Sequence, residues 1–82
     1  MVTGWILVQT EVGHARPVCD AIAAMKVPGI KVLAADTVTG QYDVIARVEA
    51  EDADALLSTV ENTIETEGGV QHTITCLAIR LG

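Results

Sequence analysis

The tightest constraint on this chain is the order in which its hydrophobic period changes. Two stretches of helical spacing each end at a glycine turn and pass directly into a β-branched run. The first closes at Pro28-Gly29-Ile30 and the second, forty positions later, at Gly68-Gly69-Val70. Apolar residues three and four apart form one stripe of a helix, whereas residues two apart form one face of a strand. Ala15, Val18, Cys19, Ile22 and Met25 follow the first rule and predict a helix from His14 to Lys26, with Pro17 early enough to sit in its first turn. Ala53, Leu56, Leu57, Val60 and Ile64 predict a second helix, opening at Asp52 or Asp54, where a carboxylate suits the positive helix end.

Strands occupy the remaining positions. Trp5 to Thr10 is a short apolar run, Ile30 to Val38 and Tyr42 to Ala50 flank the turn Thr39-Gly40-Gln41, and Val70 to Leu81 closes the chain. Tyr42, Val44, Ala46 and Val48 alternate against Asp43, Ile45, Arg47 and Glu49, as a half-covered strand requires. Thr73, Thr75, Leu77, Ile79 and Leu81 share one face of the last strand. The order βαββαβ is that of a ferredoxin-like α+β sandwich. Right-handed crossovers then give one antiparallel sheet, with the fourth strand beside the first, then the third, then the second, and both helices on one face.

Eighty-two residues make a single domain, close to the size at which one core only just outweighs the entropy of ordering the chain. Yet 50% of the residues are apolar, more than one small sheet and two helices need to bury. The uncovered sheet face is therefore expected to pack on a second copy, forming a dimeric α/β barrel. Trp5 reads as an interface or core anchor.

Charge and chemistry narrow the function. Five Lys and Arg against eleven Asp and Glu leave no basic stripe for a phosphate backbone, so direct nucleic-acid binding is not expected. Cys19 and Cys76 lack metal-ligand spacing and read as small buried hydrophobes with reduced thiols. With no signal peptide and no apolar run long enough to span a bilayer, a cytoplasmic protein without membrane contact is expected. His14 and His72 lie on different elements and have no partner at ligand spacing, so the pattern offers no catalytic residues, metal site or cofactor site.

The combination Thr39-Gly40-x-Tyr42-Asp43-x-Ile45-x-x-Val48, preceded by Pro28-Gly29-Ile30 and followed by Glu51-Asp52, Gly69-Val70 and Thr73-x-Thr75-x-x-Ala78, resembles the effector-binding (RAM) domain of the Lrp/AsnC transcriptional regulators. The resemblance runs from Trp5 to Leu81 and implies one such domain over residues 1–82, in the version without a helix-turn-helix DNA reader. It further implies dimers that assemble into tetramers, octamers or larger rings, with an amino acid or related metabolite held where dimers meet, near the turn between the second and third strands. A full-length family regulator sharing that interface is the protein partner it suggests.

On this reading Thr39, Gly40, Gln41, Tyr42 and Asp43 form the ligand loop. Backbone N–H groups meet the ligand carboxylate, Asp43 meets its ammonium and Tyr42 walls the pocket, while Thr73 and Thr75 add hydroxyls. Plainer roles stand beside these: Gly40 and Asp43 as turn chemistry, Tyr42 as interface packing, Thr73 and Thr75 as β-formers. Two other functions fit the same fold. One is a small dimeric α/β barrel enzyme of monooxygenase or isomerase type, and the other an assembly module with no ligand.

Overall fold

The computed structural model describes residues 1–79. Four strands and two helices follow in the expected order: β1 (Val2–Thr10), α1 (Ala15–Ala23), β2 (Ile30–Thr37), β3 (Val44–Ala50), α2 (Ala53–Thr59) continued by a π-helical turn (Val60–Ile64), and β4 (Val70–Leu77). All pairings are antiparallel and the sheet order is β2-β3-β1-β4, the ferredoxin-like arrangement.

Outside the irregularities at Leu33 and at Gln9/Thr10, register assigns the paired strand residues to a face. Rows such as Thr37–Val44–Val8–Thr73 and Ala35–Ala46–Ile6–Thr75 look toward the helices. They meet Val18, Cys19 and Ile22 of α1 and Leu56, Val60 and Ile64 of the second helical segment, and together these residues form the core. Leu56 reaches the sheet because β1 carries Gly4 beneath it. A Cβ at Gly4 would stand 2.6 Å from a Leu56 methyl and 3.2 Å from the Cys76 carbonyl oxygen.

The π-helical turn follows from the same burial. Leu56, Val60 and Ile64 are spaced by four, and a step of four overshoots one α-helical turn by about 40°. Widening the turn, with Glu65 N–H donating to the Val60 carbonyl at 2.8 Å, returns Ile64 to the buried side.

Several boundaries differ from the sequence expectation. Helix α1 stops at Ala23 rather than Lys26, because Met25 N–H turns back to the Ile22 carbonyl at 3.1 Å. Met25 still packs on the core, which is why its spacing looked helical. Strand β3 starts at Val44 rather than Tyr42, and β4 ends at Leu77, leaving Ile79 outside the strand and 81% exposed. Leu81 lies outside the described residues. Cys19 is buried as expected, but Cys76 is exposed. It pairs with Trp5 on the face that the helices do not cover.

That open face has an ordered composition. One row runs Asp36–Ile45–Leu7–Ile74 and the next Ala34–Arg47–Trp5–Cys76, with the Arg47 guanidinium 5.9 Å from the centre of the Trp5 ring. Trp5 is 38% exposed and Ile74 36%. Among the described residues no helix is long and apolar enough to cross a membrane.

Candidate functional site

The loop between β2 and β3 is closed by one backbone bond, Val38 N–H to the Asp43 carbonyl at 2.8 Å. Gly40 holds φ at +133°, a value that L side chains rarely adopt, and a Cβ there would meet nothing within 4 Å. Its glycine is therefore explained by backbone conformation, with open space beyond. Thr39, Gly40 and Gln41 are exposed, while Tyr42 and Asp43 are half-buried.

Asp43 joins the loop to the sheet. Its N–H donates to the Val8 carbonyl at 2.9 Å, and its carboxylate Oδ2 accepts the Thr10 N–H at 2.8 Å. The carboxylate thus serves as the acceptor that a longer β3 would have presented to β1. This is why β3 begins only at Val44 although Tyr42 continues the alternation. A second contact comes from Gln9, whose Nε2 donates to the Gln41 carbonyl at 2.9 Å. Neither Gln9 nor Thr10 stands out in the sequence, because their partners lie 32 and 33 positions away.

The five loop residues are brought together, but the two threonines are set apart from them. Thr73 and Thr75 are half-buried on the helix side of β4, opposite Val8 and Ile6, and β1 separates β4 from β3. Thr73 and Asp43 approach Val8 from opposite sides of β1. The threonines thus flank the helix layer rather than the loop tip of the same chain.

The larger concavities lie elsewhere. A groove of about 530 Å³, bordered by Met25, Lys26, Val27, Ile30, Lys31 and Val32, and another of about 410 Å³ beside Met1, Gly29, Glu49 and Glu51 both open at the start of β2. The 39–43 loop follows the far end of that strand. The two grooves are bordered by charged side chains, Lys26 and Lys31 in the first and Lys31, Glu49 and Glu51 in the second, but volume alone does not make either one the site. The loop of a single chain offers hydrogen-bonding groups without an enclosing wall.

No cluster of three or more His, Cys, Asp or Glu among the described residues could hold a metal. Burial pushes the Cys19 thiol above its ordinary value, and Asp20 and Asp36 add to the effect, so it rests as an inert thiol. His14 stands at the start of α1 without a side-chain capping bond, its Nδ1 3.2 Å from the Val12 carbonyl oxygen, and His72 is exposed.

Comparison with known proteins gives a consistent picture. The family pattern described as the Lrp/AsnC ligand binding domain matches residues 4–81. Among solved structures, FFRP-DM1 is 35% identical with a TM-score of 0.84, the match covering 96% of this chain and 100% of that one. TTHA0845 from Thermus thermophilus is 32% identical with a TM-score of 0.86, over 100% of this chain and 98% of that one. The transcriptional regulator NMB0573 from Neisseria meningitidis, in complex with L-Met, shares the fold at 24% identity and a TM-score of 0.76, over 96% of this chain and 50% of the regulator. No curated protein matches the chain.

Proposed function

This chain belongs to the Lrp/AsnC ligand-binding (RAM) domain family, and from that premise we propose that it is a non-catalytic sensing module that takes up an amino acid or a related small metabolite at residues 39–43. The observation that carries this reading is the loop itself. Gly40 faces open space and Gln41 is exposed, yet Asp43 and Gln9 fasten the loop to β1, so it presents backbone donors and a carboxylate in a defined place without a wall. A second copy supplies the wall. The neighbouring regulator that carries L-Met supports amino acids as the first ligand class to try.

The open face of the sheet, with Trp5, Leu7, Ile45 and Ile74, packs on the same face of a second copy, and such dimers associate further around the ligand loops. Output is a change in assembly or in contact with a family regulator rather than direct DNA binding, in keeping with a net charge of −6. Thr73 and Thr75, on the helix side, reach a ligand only if it is held by a neighbouring copy. The module works in the cytoplasm, where its two free thiols stay reduced.

One observation favours a second reading, an assembly module without a metabolite: the Asp43 carboxylate already has a structural partner in Thr10 N–H. A thermal-shift panel of the free amino acids separates the two. Ligand at a hundred times its Kd adds about 2.7 kcal/mol of stability, which in a chain of this size raises Tm by about ten degrees or more. A flat panel, confirmed by calorimetric titration, rejects the sensing function and leaves the assembly module.

A further inference from the structure

We propose that Gln9 is a positioning residue for the 39–43 loop, holding its tip in the shape that a ligand meets. The hydrogen-bonding pattern leads there. Backbone bonding across the hairpin stops at Val38 and Asp43, and Asp43 itself is secured by Val8 and Thr10. The four residues between, Thr39 to Tyr42, receive one hydrogen bond from the rest of the described chain, the 2.9 Å donation from Gln9 Nε2 to the Gln41 carbonyl. Gly40 adds to the need for a tether: its conformation is one that glycine leaves readily, and no neighbour stands where its Cβ would be.

Gln9 is suited to the task. It lies on β1 one residue before Thr10, in register with His72 and half-buried, so its backbone is fixed by the sheet and only its side chain has to be ordered. Any residue of the tip that is mobile in the free protein must be immobilised on binding, and that entropy is subtracted from affinity. A tether that orders the tip beforehand removes this cost. The functional half of the inference rests on the proposed ligand loop, whereas the structural half does not.

Two variants test it. Gln9→Leu removes the donor, and Gln9→Glu keeps length and shape but can only accept at neutral pH. Backbone amide order parameters measured by NMR on the ligand-free protein should fall at residues 39–42 from about 0.85 to about 0.6 or lower in both variants, while β1 and β3 keep wild-type values. Titration with the free amino acids should then show affinity about fivefold weaker in each, reflecting the added ordering cost. Wild-type order parameters in both variants would overturn the inference. So would an ordered tip in Gln9→Glu alone, since that outcome assigns the effect to packing rather than to the donated hydrogen. A loosened tip with undiminished affinity rejects the functional half. If no amino acid binds the wild type, the ligand reading fails, but the order parameters still decide whether Gln9 holds the loop.

Discussion

The proposed function asks Asp43 to do two things with one carboxylate, and substitution can separate them. Asn keeps an oxygen that can accept the Thr10 N–H, whereas Ala leaves that donor without its 2.8 Å partner. Asp43→Asn should therefore melt close to wild type while losing a charge-assisted contact to a ligand ammonium, worth about 1.5 to 3 kcal/mol or roughly ten- to a hundredfold in affinity. Asp43→Ala should lower both Tm and affinity. Melting curves beside calorimetric titrations read the difference, and unchanged affinity in Asp43→Asn would return the residue to turn chemistry. Glycines divide in the same manner. Gly4→Ala forces a methyl against Leu56 and the Cys76 carbonyl and should cost about 1 to 3 kcal/mol in urea unfolding. Gly40→Ala meets open space, so its cost is backbone strain alone, about 1 to 3 kcal/mol.

Helix α2 shows how much an element owes to one side chain. Asp52 caps it, Oδ1 accepting the Ala55 N–H at 2.7 Å, and Asp54 follows in the first turn. Asp52→Ala should destabilise the protein by about 0.5 to 2 kcal/mol in chemical denaturation, and Asp52→Ser by less. This cap was legible because it is local: an acid stands immediately before an apolar period. The alternation of Val44 to Ala50 was legible for a similar reason, since one covered face imposes it. What escaped the sequence depends on partners far along the chain. Tyr42 keeps the alternation, but Asp43 ends the ladder through Thr10, and only the register with β1 turns Thr73 and Thr75 toward the helices. The end of α1 escaped because Met25 packs on the core whether or not it is helical. Of the candidate site, the glycine and aspartate of the loop could be read in advance, but the Gln9 tether could not.

For the whole molecule, the proposed association through the open sheet face can be tested directly. Native mass spectrometry at micromolar concentration should find dimers or larger closed assemblies, and a stable monomer would reject association through this face. Cys76, in the row of Trp5, gives a chemical version of the test. It should react slowly with a thiol reagent in the assembled protein and quickly after dilution, while Cys19 stays protected until the chain unfolds. Trp5 is the only tryptophan of the chain and stands in the middle strands of that face, with Arg47 over its ring. The protein therefore carries its own fluorophore at the surface through which we propose that copies meet. Pairing through this face should drive water from the indole and move its emission to the blue, and dilution should move it back, so the joining and parting of two copies can be followed as a colour, without a label.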